Sequence, residues 1–224
     1  MLRETRNRML RAVMTRSGAV TRRLHRHAFM KRARLAAIAA HATLDLSIDP
    51  NVEVARGVRV TVAPWSNNLL HIGAGTTLAD RVLIQLSDGR VRIGDALQMR
   101  RDCILNVSGD LEIAGDSVIS WGTVIHCSNR VSIDRGVLIG EYTTIVDSSH
   151  YFTEPDAHLW HHVKAGSVEI GRSSWICAKA VVTRDTKIGD YCIVGANSVV
   201  RGEVPSGSFA SGVPATIRPL SLPW

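Results

Sequence analysis

Aliphatic residues recur at every sixth position along most of this chain. The longest uninterrupted run is Ile170, Ile176, Val182, Ile188, Val194 and Val200. Shorter runs with the same step begin at Ile72, Ile93, Ile113 and Ile133. An α-helix repeats near 3.6 residues and a half-buried strand near 2, so neither explains this step. A short strand followed by a turn, repeated many times, does explain it, and the pattern therefore predicts an all-β solenoid.

Three steps of the repeat make one circuit of about eighteen residues, as in a triangular coil. The register slips by two or three residues once per circuit, between Ile84 and Ile93, Leu105 and Ile113, and Ile125 and Ile133. One corner of the triangle is therefore expected to carry longer turns. A second inward position, four residues after each aliphatic one, is small or β-branched, which suits a narrow packed interior. The alternative, a β-sandwich, would show a period of two and turns every eight to twelve residues.

The repeat often reads as an aliphatic residue followed by glycine, as in Ile72-Gly73 and Ile188-Gly189. Three later segments stand in a fixed order: Ser174-Trp175-Ile176, Val194-Gly195-Ala196-Asn197 and Gly212-Val213-Pro214-Ala215. Together these features resemble the hexapeptide-repeat acyltransferases, and over residues 110–218 the sugar and xenobiotic O-acetyltransferase group. The resemblance implies a left-handed parallel β-helix, a handedness that the period alone does not reveal.

Charge divides the chain into an N-terminal arm and a remainder. Residues 1–41 hold eleven of the 27 Lys and Arg residues but one of the 20 acidic residues, so the net charge of +7 belongs to this arm. The arm lacks proline and is expected to be mostly helical. The β-helix is expected over residues 42–205, followed by a C-terminal tail over residues 206–224.

The basic arm has three interpretations. Its longest apolar stretch, residues 35–40, is too short for a signal-peptide core or a membrane span. A basic helix can bind an anionic membrane surface, pack on the solenoid end or a neighbouring subunit, or bind nucleic acid. No nucleic-acid motif supports the last option, so no such partner is expected. The expected location is the cytoplasm, with peripheral binding at the inner membrane face as a further possibility.

The four cysteines form neither a metal cluster nor a C-x-x-C pair. Cys103 and Cys192 occupy inward small-residue positions, where they are expected to act as small hydrophobes. Cys127 and Cys177 lie elsewhere on the coils. No disulfide is expected, in keeping with a reducing compartment.

The repeat is interrupted at length once, between Ile145 and Ile170. A solenoid accommodates such an insertion as a loop that leaves the prism, and loops on rigid scaffolds often carry function. We call residues 146–169 the excursion loop and predict that it holds the active site. Five of the nine histidines lie between His126 and His162.

His150 stands where the resembled family has its catalytic histidine, and a neutral imidazole suits removal of a proton from an acceptor hydroxyl. Asp147 is expected either to orient that ring or hold the acceptor, or to serve as a turn residue. His158, His161 and His162 are expected to make loop or subunit contacts. A zinc site of the γ-class carbonic anhydrase type is the alternative for these histidines, but His158 and His162 have the wrong spacing, so no metal is expected.

The resemblance also implies that acetyl-CoA, or another acyl-CoA, binds along a cleft between subunits of a homotrimer. Trp175 matches a cleft-lining tryptophan, Ala196 a backbone contact to the pantetheine, and Ala178 a position where relatives often have serine. Because Ala178 has no hydroxyl, oxyanion stabilisation would come from a backbone N–H or water. Arg201 and Arg218 are expected near the coenzyme phosphates, or simply as solvated charges.

The resulting expectation is a coenzyme A-dependent O-acyltransferase acting on a sugar or polysaccharide-type acceptor, with acetyl as the expected acyl group. A family asparagine at the acceptor site has no clear equivalent, since residues 120–122 occupy that stretch. N-acyl transfer to an amino sugar or amine is one alternative. A solenoid scaffold that has lost catalysis is the other.

Overall fold

The computed structural model describes residues 24–153 and 162–220. One helix, α1, spans residues 24–39 and is followed by short strands that wind into a three-sided prism. His158 and His161 lie outside the described residues, as do residues 1–23 of the arm.

Each side of the prism is a sheet to which every coil adds one strand. Sheet A contains β1 (Thr43–Ile48), β4 (Asn67–Ile72), β7 (Arg90–Ile93), β10 (Asp110–Ile113), β13 (Arg130–Ile133), β18 (Ser167–Ile170), β21 (Thr186–Ile188) and β24 (Glu203–Val204). Sheet B contains β2 (Glu53–Val54), β5 (Thr77–Leu78), β8 (Gln98–Met99), β11 (Val118–Ile119), β14 (Leu138–Ile139), β19 (Trp175–Ile176), β22 (Ile193–Val194), β25 (Ser208–Gly212) and β26 (Ala215–Pro219). Sheet C contains β3 (Arg59–Val62), β6 (Leu83–Leu86), β9 (Ile104–Val107), β12 (Val124–Cys127), β15 (Thr144–Val146), β20 (Val181–Val182) and β23 (Val199–Val200).

The aliphatic residues of the repeat stack in register through the core. Within sheet A, Ile93 pairs with Ile113, Ile113 with Ile133, and Ile133 with Ile170 across the excursion loop. These side chains are buried. Stacking neighbouring coils buries a continuous apolar core that no single coil could make. The predicted all-β solenoid with a helical N-terminal extension is confirmed.

The small inward residues fill the prism and satisfy its backbone. Thr76 and Ser174 are buried, and their hydroxyls donate to the carbonyls of Gly94 and Gly189, each at 2.9 Å. A buried hydroxyl without a partner would be costly, so these bonds explain why polar residues are tolerated in the core.

We name the three edges of the prism by the sheets they join: the A–B, B–C and C–A corners. The chain runs from sheet A to B to C and back to A in every coil. The extra residues of the early coils fall between sheets C and A, but they lengthen the strands there instead of the turns expected from the sequence. Strands β6 and β7 have four residues each, and the turn between them, residues 87–89, has three. The excursion loop leaves the prism at this same corner, between β15 and β18.

Helix α1 closes the N-terminal end of the prism. Phe29, Ala33 and Ala37 lie on one helix face and are buried, and the Arg26 guanidinium donates to the Asp49 carbonyl at 2.9 Å. Its outer face exposes Leu35 and other apolar and basic side chains. Within the described residues, no helix has the length and apolar character needed to cross a membrane.

The other end of the prism continues beyond residue 205. Strand β25 pairs in parallel with β22, and β26 turns back antiparallel to β25. The C-terminal tail expected at residues 206–224 thus contributes two strands to sheet B.

Candidate active site

The excursion loop begins as a two-stranded antiparallel hairpin. Strands β16 (Ser148–His150) and β17 (Val163–Ala165) pair so that His150 faces Val163. His150 is exposed and ends its strand, only four residues from the last paired residue of sheet C, Val146. The short connection places the imidazole close to the rigid C–A corner.

Asp147 holds the root of this hairpin. Its side chain is fully buried, and its carboxylate oxygens accept the backbone N–H groups of Ser128 at 2.7 Å, Asn129 at 2.7 Å and Arg130 at 2.8 Å. These donors form the C–A turn of the preceding coil. Charge-assisted bonds of this kind are stronger than neutral ones, so Asp147 fixes the excursion loop to the coil below it.

Further contacts secure both strands of the hairpin. The Ser128 and Ser148 hydroxyls lie 3.0 Å apart, and the Asn129 side-chain amide donates to the Gly166 carbonyl at 2.9 Å. On the other side, the Arg184 Nε donates to the Ser149 hydroxyl at 3.2 Å. The base of the hairpin is therefore anchored to the coils on both sides of it.

Gly166 allows this close approach. A Cβ added there would lie 1.9 Å from the Asp185 Oδ1 and 2.8 Å from the Arg184 Cγ. The absence of a side chain at this position lets the returning strand pack directly on the following coil.

His162 belongs to the same hairpin. Its carbonyl accepts the Tyr151 N–H at 3.1 Å, and its ring lies edge-on to the Tyr151 ring, with centroids 5.6 Å apart. The Thr153 hydroxyl is 3.5 Å from the His162 Nε2. These contacts agree with the loop role expected for His162.

His126 lies on the outer face of sheet C, one coil before Val146. Its Nδ1 is 3.3 Å from the side-chain amide of Asn106, its partner on the preceding coil. Gln85 pairs with Asn106 one coil earlier still, so the three residues form one outward-facing row. Among the described residues, no group of three or more His, Cys, Asp or Glu side chains is arranged to hold a metal ion.

The residues expected to bind the donor lie mainly at another corner. Trp175 is on the outer face of sheet B and is 46% exposed. Ala178 and Ala196 follow β19 and β22 at the B–C corner, where the Asn197 N–H donates to the Ala178 carbonyl at 3.1 Å. Within one chain, the structure therefore places His150 and this group at different corners.

The two arginines expected near the coenzyme phosphates are both exposed but lie apart in the fold. Arg201 follows β23 at the C–A corner. Arg218 is on β26, with its guanidinium carbon 4.7 Å from the centre of the Phe209 ring on sheet B.

A third group of residues was not anticipated from the sequence. The guanidinium carbons of Arg100 and Arg101 lie 5.4 Å and 5.6 Å from the centre of the Trp121 ring. The signal was available, because Trp121 follows the Arg100-Arg101 pair by about one circuit, but exposed positions do not show in a hydrophobic repeat.

Sequence comparisons connect the last coils with a known family. The family described as bacterial transferase hexapeptide (six repeats) matches residues 167–202. This segment covers β18 to β23, the most regular part of the repeat. These last coils therefore carry the hexapeptide repeat of that transferase family.

Curated relatives include a probable acetyltransferase of Mycobacterium tuberculosis, Rv3034c. It is 30% identical over 176 residues, which are 77% of this chain and 51% of that protein. The chain thus spans about half the length of this relative. The putative lipopolysaccharide biosynthesis O-acetyl transferase WbbJ of Escherichia coli is 28% identical over 141 residues, which are 58% of this chain and 72% of that protein.

Among solved structures, the fold is similar to that of AntD, an N-acyltransferase from Bacillus cereus in complex with dTDP and coenzyme A. The TM-score is 0.53 at 18% identity, covering 83% of this chain and 86% of that one. At this identity the likeness concerns the fold alone, which is the left-handed parallel β-helix predicted for a hexapeptide-repeat protein.

Proposed function

We propose that this hexapeptide-repeat protein is a coenzyme A-dependent O-acyltransferase that transfers an acetyl group to a hydroxyl of a carbohydrate acceptor. The observation that carries the proposal is the exposed imidazole of His150 at the one long break in the repeat, four residues from sheet C. The relatives described as a probable acetyltransferase and as a putative O-acetyl transferase support the reaction class. The solved complex of AntD with coenzyme A supports the donor.

In the proposed reaction, His150 acts as the general base. Its neutral imidazole takes the proton of the acceptor hydroxyl while the oxygen attacks the thioester carbonyl. The tetrahedral intermediate then collapses, the carbon–sulfur bond breaks, and the imidazolium returns its proton to the leaving thiolate. The products are the acetyl ester and free coenzyme A, and the histidine is again neutral.

Asp147 has a positioning role in this proposal. Both oxygens of its buried carboxylate already accept backbone N–H groups of residues 128–130. We therefore assign it to holding the hairpin that presents His150, in agreement with the turn role considered for it from the sequence. Anchoring of this kind matters because catalysis depends on accurate placement of the base.

The B–C corner and the neighbouring face of sheet B fit the acyl donor. The exposed indole of Trp175 and the small side chains of Ala178 and Ala196 leave room for a pantetheine arm along the stacked turns. Arg201 and Arg218 would face the phosphates. Since Ala178 offers no hydroxyl, a backbone N–H or a water would stabilise the oxyanion.

The same proposal includes a homotrimer with shared active sites. His150 is presented at the C–A corner, whereas Trp175, Ala178 and Ala196 lie on sheet B and at the B–C corner. In the proposed cyclic trimer, the C–A corner of one copy would lie against the B–C corner of the next. Each complete site would then take its base from one chain and its donor groove from a neighbour.

The proposed location is the cytoplasm, with helix α1 making contact with the inner membrane face. The outer face of α1 exposes Leu24, Leu35 and Ile38 beside Lys31 and Arg34. Apolar side chains flanked by basic ones are typical of helices that lie on anionic lipid surfaces. This contact would hold the enzyme near a cell-envelope or lipid-linked acceptor.

A thiol-release assay with acetyl-CoA tests the proposal, using a panel of sugars that present hydroxyls alone or hydroxyls with an amine. We expect release that depends on hydroxyl acceptors, with an ester product identified by mass spectrometry. Products that are exclusively amides would replace O-transfer with N-transfer. No release with any acceptor would favour a scaffold that has lost catalysis.

A further inference from the structure

A groove of about 710 Å³ lies on sheet B at the B–C corner. Along the prism axis, its coils precede the coil that carries the excursion loop, whereas the coils of the donor residues follow it. It is lined by Trp121, Arg100 and Arg101, together with Thr77, Gln98 and Asp80. None of these residues belongs to the base or to the donor groove described above. The indole of Trp121 is 39% exposed, so part of its surface remains open to a ligand.

The two arginines have acidic neighbours, but these are hydrogen-bonded to Arg81 and not to them. Within residues 24–153 and 162–220, neither Arg100 nor Arg101 forms an ion pair. The nearest acid in sequence, Asp102, is engaged by Arg81, whose Nε and Nη2 lie 2.6 Å and 2.7 Å from its two oxygens. These hydrogen bonds, together with the charges of Arg81 and Arg101, lower the pKa of Asp102 below its ordinary value.

Asp80, the one acid in the groove lining, is also engaged. Its Oδ1 accepts the Gly57 N–H at 3.0 Å, and its Oδ2 is 3.3 Å from the Arg81 Nη1. The charge that the groove offers to a ligand is therefore positive.

A second cation–π pair in the protein provides a contrast. Arg172 lies 5.7 Å from the centre of the Tyr191 ring, and its Nε is 3.1 Å from the Asp190 carboxylate. That guanidinium is already neutralised. A guanidinium stacked on an aromatic ring keeps its N–H edge free for a carboxylate or phosphate, and at Arg100 and Arg101 this edge is available.

The groove lies in line with the proposed donor site. At the B–C corner, the Trp121 carbonyl accepts the Tyr142 N–H, and the Glu141 carbonyl accepts the Lys179 N–H, each at 2.8 Å. Trp121 is thus two coils from Ala178, about 10 Å at the usual strand spacing. A sugar unit bound at Trp121 would lie within one or two sugar lengths of the donor thioester.

We propose that the groove of Trp121, Arg100 and Arg101 is an acceptor subsite for a carbohydrate that carries an anionic group. The indole packs against the apolar face of a sugar ring, and the two guanidiniums bond a carboxylate or a phosphate. The inference rests on the proposed function, since it gives the acceptor of that reaction a charge. It commits to an acidic or phosphorylated acceptor in place of a neutral one.

Binding of small probes to the full chain without any acyl donor tests this subsite. The probes are glucose 1-phosphate, glucuronate and glucose, with dissociation constants measured by ligand-detected NMR. We expect the two anionic probes to bind at least about tenfold more tightly than glucose. A preference for one of them would identify phosphate or carboxylate as the recognised group. Equal binding of all three, or no binding of any, would overturn the proposal.

Three variants locate the effect. R100Q/R101Q should reduce binding of the anionic probes to the level of glucose, and W121A should weaken all three probes. R172Q is the matched control, because it removes a stacked arginine at a different corner, and it should leave binding unchanged. Equal weakening by R172Q would show attraction by general charge and would contradict a built subsite.

The probe experiment and the thiol-release assay can fail separately. Acyl transfer without any preference for anionic probes would remove the subsite and leave the proposed function intact. Probe binding without acyl transfer to any acceptor would keep the subsite and remove the reaction.

Discussion

The C–A and B–C corners of the prism use the same repeat in different ways. At the B–C corner, turns of equal length stack on one another through backbone bonds, from Arg101 and Trp121 to Ala178. At the C–A corner, the turns differ in length from coil to coil, and one becomes the excursion loop, held by the buried carboxylate of Asp147. The regular corner offers a continuous groove, whereas the irregular corner presents a single reactive side chain. The difference indicates that a solenoid can bind a ligand along one edge and place a catalytic group at another.

The largest expected effect concerns the irregular corner. H150A should lower kcat by about 10² to 10⁴, because a positioned general base contributes that much. The Km for acetyl-CoA should change little, since His150 is not among the residues proposed to bind the donor. Steady-state kinetics with the best acceptor provide the measurement. H71N on sheet A is the control and should retain full activity, and unchanged kcat in H150A would reject the mechanism.

Asp147→Asn tests whether the irregular corner depends on one carboxylate. An amide cannot accept all three N–H groups of residues 128–130. We expect a loss of about 3 kcal/mol in the free energy of unfolding, with a fall in kcat because the hairpin is no longer fixed. Urea denaturation and kinetics measure the two effects.

The matched control for this variant is Asp134→Asn. Asp134 is exposed, and its carboxylate accepts the backbone N–H of the next residue, Arg135, at 2.6 Å. Its substitution should cost well under 1 kcal/mol. Equal destabilisation by both variants would contradict the special role given to Asp147.

The sequence predicted the regular part of this molecule better than the irregular part. The step of six, running through residues such as Ile133 and Ile170, reports a core in which each coil repeats the last, so the solenoid and the place of its long break follow from the pattern. The partners of Asp147 do not follow from it. They are backbone groups nineteen, eighteen and seventeen residues away, and backbone donors leave no trace in residue identity.

The exposed groove at Trp121 was missed for a related reason. Hydrophobic periodicity reports the inward positions, while Arg100, Arg101 and Trp121 face outward and meet only because coils stack. The arrangement becomes visible when exposed residues one circuit apart are compared.

Each corner also has a buried thiol whose titration sharpens the comparison. Burial raises the pKa of Cys103, at the B–C corner, to about 11. Burial, with a further contribution from the charge of Asp147, raises the pKa of Cys127, at the C–A corner, to about 12. Thiols in the unfolded chain titrate near 9. Above that pH the unfolded chain loses protons that the folded chain keeps, so the free energy of unfolding falls as pH rises toward 11 or 12.

The free energy of unfolding is expected to fall by about 1.4 kcal/mol per pH unit for each thiol. Urea unfolding at pH 8.5 and 10.5 measures it, with C103A and C127A as the comparison. Each variant should show a flatter dependence on pH than the parent chain. If the unfolding free energy of both variants depends on pH as in the parent chain, these thiols do not contribute to that dependence.

The smallest expected effect lies at neither corner but at helix α1. Anionic liposomes should carry the full chain in flotation at low salt, and K31Q/R34Q should float less, since each basic residue near an anionic surface contributes on the order of 1 kcal/mol. Added salt should weaken the interaction. The substitutions leave the buried face of α1 intact. Equal flotation of both chains would leave α1 as a cap of the prism.

The central claim is that one corner of each chain completes a site with the other corner of its neighbour. Two variants are chosen to be inactive alone: H150A, which lacks the base, and A178W, whose indole fills the donor groove. They are co-expressed with different tags, and trimers containing both chains are isolated. In a cyclic trimer of mixed composition, one of the three shared sites combines an intact base with an intact groove. Recovery of about one third of the parent activity is expected, and no recovery in well-assembled mixed trimers would contradict shared active sites.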